Sequence, residues 1–255
     1  MLAVGKMGGS SHLKRLPAPA FWPIKRKEHK WAVKPSPGPH PFEACIPLQV
    51  IIRDLLGYAE TGREAKIIIS RGEVKVDGRV RKDRRYPVGL MDVVEIPKLN
   101  KAFRVIPHPQ NFLHLHEIPP PEAGFKLCRV EGKTTVKGGH IQLNLHDGRN
   151  VLVKVSDPRK PVEDVFKTMD VLKVTLPGSE ILEHFKMEPG ALAVVVGGKN
   201  IGRIGRIVEI SEAVFREQRL VVLEDKKGER FSTSYLYAFV IGSERPAISL
   251  PEGWW

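Results

Sequence analysis

The stretch TGREAKIIISRGEVKVDG, residues 61–78, decides how the chain around it folds. Thr61 followed three residues later by Glu64 forms a capping box, in which hydroxyl and carboxylate each bond the other residue's amide, so a helix starts here. Ala65, Ile68 and Ile69 supply its buried face and Gly72 its end. At 100° per residue, Arg63, Lys66 and Ser70 share an arc of about 60° on a different side. Val74 and Val76 then alternate up to Asp77-Gly78, with Val80 beyond it, which predicts a β-hairpin.

Towards the N-terminus, Leu48, Ile51, Ile52, Leu55 and Leu56 form an apolar helical stripe. Pro47 suits its first turn and Gly57 its end. Towards the C-terminus, Arg79–Arg85 reads RVRKDRR, five basic residues in seven, and a strand near Asp92–Ile96 closes the unit. Residues 43–97 thus predict a helix pair and a small sheet around one core, with cations projecting from the second helix and the adjoining strands.

Residues 98–180 predict a central, mostly β domain. Its strands lie at Phe103–Ile106, Asn111–His116, Lys126–Val130, Ile141–Leu145, Val151–Val155 and Val171–Leu176, with turns at Gly138-Gly139 and Asp147-Gly148. Residues 181–243 predict a small barrel of short strands. Ala191–Val196 is a buried strand, the loop Gly197–Gly205 (GGKNIGRIG) leads into a strand at Arg206–Ile210, and later strands lie at Leu220–Leu223, Phe231–Thr233 and Tyr235–Ile241. Residues 244–255 form a C-terminal tail. The expected class is α+β and multidomain.

The 255 residues carry 41 Lys+Arg against 29 Asp+Glu, a net charge of +12. Residues 1–40 hold eight of those cations against one acid, Glu28, and six prolines. Such a segment buries too little apolar surface to offset its ordering entropy, so residues 1–42 read as a basic, Pro-rich extension that is mobile when free. Phe21, Trp22 and Trp31 lie within it and need cover, either from RNA or from the protein's own body. No apolar run approaches the ~20 residues of a membrane span, and the basic start has no continuous apolar region of the kind a secretory signal needs. Cys45 and Cys128 stand outside any CxxC, which argues against a disulfide framework and a cysteine zinc site and fits a reduced, cytoplasmic compartment.

The motifs that suggest catalysis fail on spacing. A phosphate loop needs Lys-Ser/Thr after its last glycine, whereas Gly202 is followed by Arg203-Ile204. Gly132-Lys133-Thr134 has Leu127 where the earlier glycine is required. His114 and His116 alternate on a strand but lack a third metal ligand nearby. What remains is a basic extension, a basic helix-pair face and a Gly/basic loop on one chain, a combination that favours a polyanion. The cations are irregularly spaced, with no heptads or zinc fingers, so folded RNA fits better than a DNA groove.

Several motifs, in order along the chain, resemble the archaeal and eukaryotic small-subunit ribosomal protein family S-four-e (S4e). They are His12–Leu16 with Ala18-Pro19, Trp22 and Arg26-Lys27; Lys34–His40; Val76-Asp77-Gly78, Pro87 and Met91-Asp92-Val93; Lys126-Leu127-Cys128; Leu143–Arg149; Gly197–Gly205; Phe239–Gly242; and Ile248–Pro251. The resemblance implies an S4-type RNA-binding module, a central domain and a KOW loop on an SH3-like barrel. It implies a structural constituent of the small (30S) subunit that binds the 5′ region of its rRNA and supports assembly and translation, without catalysis. Expected partners are small-subunit rRNA and neighbouring ribosomal proteins, with no membrane, small-molecule substrate, cofactor, metal or homo-oligomer. The chain ends soon after Pro251, without the basic extension of eukaryotic members, which leans towards an archaeal source; the ending Gly253-Trp254-Trp255 has no counterpart in the pattern.

Three groups are expected to touch RNA. The extension offers His12, Lys14, Arg15, Trp22, Lys25, Arg26, Lys27 and Lys34. The helix-pair module offers Arg63, Lys66, Arg71, Lys75, Arg79, Arg81, Lys82, Arg84 and Arg85. The barrel loop offers Lys199, Asn200, Arg203 and Arg206. A pseudouridine synthase carrying an S4-type module is disfavoured because residues 98–255 are taken up by small β units with no catalytic motif. A KOW-bearing elongation factor has no need of the helix pair.

Overall fold

The computed structural model describes residues 10–110, 112–157, 162–211, 219–251 and 254. Lys6, Asn111, Gly253 and Trp255 lie outside the described residues. Within the α+β class expected, the balance is mostly β with few helices, because the first helix is short and the long β10 and its neighbours dominate the second half. The chain divides into two compact units. The first runs to Ile106 and includes Leu113–Gly124; the second takes Pro107–Phe112 and everything from Phe125.

The first unit begins with a two-residue ladder, β1 (Leu13–Lys14) against β2 (Trp31–Ala32). The segment expected to be mobile is therefore docked. Trp22 is only 4% exposed, its indole N–H donates to the Cys45 carbonyl at 2.8 Å, and its ring lies 5.9 Å from that of Phe42. Two things offset the ordering cost. Prolines lose little backbone freedom on folding. Cations supply donors for carbonyls that no regular sheet satisfies: Arg15 bonds the carbonyls of Trp31 and Lys25, and Arg26 those of Leu16 and Ala18.

Next, β3 (Cys45–Pro47) leads into α1 (Leu48–Val50), which widens into a π-helical turn at Ile51–Leu55. The expected α-helix is thus short, and the Leu56 N–H bonds Ile51 O, five residues back. Pro47 sits at the cap with an extended backbone, and Gly57 ends the turn at φ +66°. Leu48, Ile51 and Ile52 are buried as expected. The second helix, α2 (Gly62–Ser70), has both halves of the capping box: Glu64 N donates to Thr61 Oγ1 at 3.2 Å, and Thr61 N to Glu64 Oε2 at 3.3 Å. Ala65 and Ile69 are fully buried, Ile68 only half. Buried Gln49 joins the helices by donating to the Gly62 carbonyl at 2.8 Å.

The hairpin pairs β4 (Lys75–Val76) with β5 (Arg79–Val80). Asp77 and Gly78 both have positive φ, +53° and +73°, the geometry of the tight turn the dipeptide predicts. After β6 (Pro87–Gly89), which pairs with β3, come β7 (Val93–Ile96), β8 (Lys101–His108) and β9 (Phe112–Ile118), giving the sheet order β5-β4-β7-β8-β9.

The second unit holds two five-stranded sheets. In one, β10 (Phe125–Thr135), β11 (Ile141–Leu145), β12 (Asn150–Val153), β13 (Val171–Thr175) and β14 (Ile181–Phe185) run in the order β12-β11-β10-β13-β14. Strand β14 has no counterpart among the expected elements. The long β10 pairs with β13 through its first half and with β11 through its second, with an irregularity between Val130 and Gly132. Cys128, Val130, Leu143, Leu145, Leu172 and Val174 form the core. In the other sheet, β15 (Leu192–Val195), β16 (Ile204–Ile210), β17 (Leu220–Glu224), β18 (Arg230–Ser234) and β19 (Ala238–Gly242) run in the order β18-β17-β16-β15-β19.

An ion pair lies inside the first of these sheets. Lys126 Nζ is 2.9 Å from Asp147 Oδ2, and both side chains are inaccessible; Arg149 Nε reaches the same oxygen at 3.1 Å. Burial alone raises the Asp147 pKa, but Lys126, His146 and Arg149 together outweigh it and hold the carboxyl down at about 2. A depressed folded-state pKa gives stability that is fully present above the ordinary 3.8 and is lost as pH falls through about 2.

Two outcomes are expected. Trp22→Ala lowers the unfolding free energy by about 3–5 kcal/mol in urea titration and abolishes the amide-exchange protection that the free wild-type protein shows at Arg15, Trp22 and Ile24. Asp147→Asn costs about 3–5 kcal/mol at neutral pH by removing the carboxylate that faces buried Lys126, and flattens the wild-type loss of stability between pH 4 and 2.

Candidate nucleic-acid interface

The basic residues of the first unit separate into those the fold uses and those it presents. Arg63, Lys66 and Arg71 are exposed on and just after α2, as the helical spacing requires, and Ser70 Oγ turns back to the Lys66 carbonyl at 2.7 Å. Arg79, Lys82 and Arg84 are also exposed. A Cβ built on Gly72 lies 3.6 Å from Lys82 Cε, so the basic run passes beside the C-terminal end of α2, where the helix dipole favours positive charge. Lys75 is half-buried on β4. Arg81 is half-buried with its guanidinium 4.4 Å from the Tyr86 ring centre. Arg84 Nη1 donates to Gln49 Oε1 at 3.2 Å, and Arg85 Nε donates to Lys34 O at 2.8 Å.

The N-terminal residues divide the same way. His12, Lys14, Lys25 and Lys27 are exposed. Arg26 is half-buried and bonded to carbonyls. Three residues expected to meet RNA are also used by the fold: Trp22 anchors the segment, Arg15 is 6% exposed and Lys34 is 7% exposed, with Nζ donating to Ser10 O at 2.6 Å. Their spacing among prolines carries no signal of this, since their partners lie 10 to 24 residues away. Trp31, by contrast, is half-exposed, with its ring 5.5 Å from that of His12 and Lys30 Nζ 5.2 Å from its centre. Trp31 is one of the aromatics that need cover, whereas Arg53 is not among the expected contacts. Trp31 sits among the basic residues of the extension, which is a usable signal, whereas Arg53 is a lone cation in an apolar helix.

In the second unit, the Gly197–Gly205 loop is packed more tightly than its composition implies. A Cβ on Gly197 lies 2.7 Å from the Tyr237 ring, and one on Gly202 lies 2.5 Å from Pro109, so these glycines admit the protein's own side chains. Asn200 Nδ2 donates to Ser232 O at 3.1 Å. Arg203 is paired with Asp225 at 3.4 Å and Glu229 at 3.2 Å and stacks 4.2 Å from the Phe231 ring centre. Asn200 and Arg203 thus brace the loop, while Lys199 and Arg206 remain exposed.

Three sites that could offer other chemistry, Cys45, the Cys128–His146–Asp147 cluster and His116, are engaged or inert. Burial, reinforced by Asp92, pushes the Cys45 thiol up to about 12, far from a thiolate. Cys128, His146 and Asp147 bring ligand atoms within 4.8 Å of one another. However, Asp147 already holds two cations and His146 Nδ1 accepts the Arg129 N–H at 3.1 Å, so the donors are spent on a closed polar network. Burial, aided by the Arg104 charge, lowers the His116 pKa below 6.5 despite the nearby carboxylates of Glu122 and Glu117, so protonation at neutral pH adds no attraction for phosphate there.

Three family models match successive segments of the chain. Residues 7–43 match the RS4NT (NUC023) domain, residues 46–94 the S4 domain, and residues 99–181 the ribosomal family S4e. Small ribosomal subunit protein eS4 of Staphylothermus marinus is 58% identical over 252 residues, covering 99% of this chain and all of the relative. Its counterpart in Aeropyrum pernix is 56% identical over the same shares, and that of Methanocaldococcus jannaschii is 49% identical over 97% of this chain and all of the relative. The crystal structure of 30S ribosomal protein S4e from Thermoplasma acidophilum superposes with a TM-score of 0.65 at 34% identity, covering 78% of this chain and 96% of that one. The chain therefore belongs to ribosomal family S4e, a family of structural ribosomal proteins and not of enzymes.

Proposed function

We propose that this chain is a structural constituent of the small ribosomal subunit, binding the 5′ region of small-subunit rRNA and supporting assembly and translation. The observation that carries the RNA contact is the set of exposed cations on α2 and the run beyond β5: Arg63, Lys66, Arg71, Arg79, Lys82 and Arg84. Acids interspersed with them are turned to structural use. Glu64 caps α2, Glu73 pairs with Lys98, Asp77 accepts from the Val93 amide and Asp83 accepts from Ser36. Exposed cations on one face suit phosphates, which a folded RNA crowds together.

On this reading residues 1–42 form the N-terminal extension, 43–97 the S4-type RNA-binding domain, 98–180 the central β domain, 181–243 a KOW SH3-like barrel and 244–255 the tail. His12, Lys14, Lys25 and Lys27 extend the contact from the N-terminal segment, and Lys199 and Arg206 add a second one from the loop of the KOW domain. Several weak sites on one chain raise effective concentration and bind tightly together. Neighbouring ribosomal proteins are the remaining partners, and the compartment is the cytoplasm. Among the described residues no helix is long and apolar enough to cross a membrane.

Binding of the purified protein to small-subunit rRNA is expected to weaken steeply with salt. The double variant Lys66→Glu, Lys82→Glu is expected to lose about tenfold or more in affinity, with a salt slope shallower by about 1 per phosphate contact removed, at unchanged melting temperature. Filter binding at several salt concentrations measures both quantities. Equal affinity and slope in the folded variant would overturn this assignment of the face.

A further inference from the structure

A cleft of about 340 Å3 opens within the first unit, between the N-terminal segment and the S4-type module. Arg15, Lys34, Arg53, Arg84 and Arg85 line it, and no carboxylate is found among the described lining residues. Two of these cations are built in: Arg15 and Lys34 are more than nine-tenths buried, Arg15 bonding the Trp31 and Lys25 carbonyls and Lys34 the Ser10 carbonyl. Glu28 stands 3.9 Å from Arg15, Arg53 is paired with Asp54 at 2.8 Å, and Arg84 bonds the neutral Gln49 amide. Trp31 and His12 also line the cleft, their rings 5.5 Å apart, and Trp31 is 50% exposed.

We propose that this cleft takes one unstacked nucleotide of single-stranded RNA, with its base against Trp31 and its phosphate among Arg53, Arg84 and Arg85. The inference rests on the RNA-binding reading above and names the element of RNA that the cleft recognises. Three features select this ligand. A concentration of five cations without a lining acid calls for an anion. A large exposed aromatic next to it calls for a flat apolar partner, and a base supplies a π-face at the same spacing as its phosphate. The volume is at the low end of the about 300–1,000 Å3 of small-molecule sites, so it admits one nucleotide and excludes a duplex. The exposed cations of α2 read RNA backbone from outside, whereas this cleft requires a base displaced from its stack, as loops and bulges provide.

The test uses the full-length protein and fluorescein-labelled hexamers, read by anisotropy at low salt. One is r(A)6; the other is an abasic hexamer of the same backbone and charge. The expected results are that r(A)6 binds about tenfold tighter than the abasic hexamer, that Trp31→Ala removes this difference without changing abasic binding, and that Trp31→Phe keeps most of it. Arg53→Ala is expected to weaken both hexamers several-fold alike. Equal binding of the two hexamers, or an unchanged preference in Trp31→Ala, would overturn the proposal. Tighter binding of a hexaglutamate peptide than of r(A)6 would assign the cleft to an acidic protein segment and overturn it as well. Small-subunit rRNA binding, measured in parallel, separates the two levels. If rRNA still binds with a steep salt slope while the hexamers bind equally, only the nucleotide cleft falls. If rRNA fails to bind, the RNA-binding reading falls with it.

Discussion

The hydrogen bond from the Trp22 indole to the Cys45 carbonyl, with the ring sealed against Phe42, is what the first unit depends on. A segment dense in proline and positive charge has no regular ladder to satisfy its carbonyls. Here the charge itself does so: Arg15, Arg26 and Lys34 bond carbonyls of the segment, and Arg85 reaches Lys34 O from the module. Side chains that look available for an external anion therefore hold the chain in place, and the wall of the cleft exists because they do. Each such bond is charge-assisted, and apart from the exposed bond of Arg26 to Leu16 each is partly shielded from water.

The cations of this protein fall into two populations, and the fold decides which is which. Lys126 and Arg149 neutralise Asp147 inside a sheet, and Arg203 is spent on Asp225, Glu229 and the Phe231 ring. Such pairs add less net stability than their short distances imply, because desolvation cancels much of the attraction, yet breaking one leaves an uncompensated charge. Lys66, Lys82 and Lys199 are exposed and keep their charge for solvent or phosphate. The net charge of +12 does not show this partition.

Local signals in the sequence survive intact in the structure. The Thr61/Glu64 box needs four residues, the Asp77-Gly78 turn needs two, and both form as the pattern predicts because their energetics close within the pattern itself. Elements whose partners are distant were not legible. The docking of Trp22 depends on a carbonyl 23 residues away, and the buried Lys126 on a turn 21 residues on. The π-helical turn at Ile51–Leu55 widens a stripe that reads as an ordinary helix, and β14 alternates too weakly to register as a strand, with only half-buried and exposed positions. At the candidate interface, the exposed arc of α2 was legible from 3.6-residue periodicity. The bracing roles of Asn200 and Arg203 were not, because glycine-rich composition looks the same whether the close neighbour is a phosphate or Tyr237.

The strand β10 bears on how genes of this kind change length. Its first half is registered against β13 and its second against β11, and Lys126 faces Asp147 only because that register is kept. Inserting or deleting a single codon between Phe125 and Val130 reverses every side chain up to the irregularity, turning an ammonium group outwards and taking from Asp147 its buried cation. Codons added at the Gly138-Gly139 tip disturb no such pairing, since that turn projects beyond both ladders. Drift in chain length is thus steered to hairpin tips, and the long strand acts as a fixed ruler.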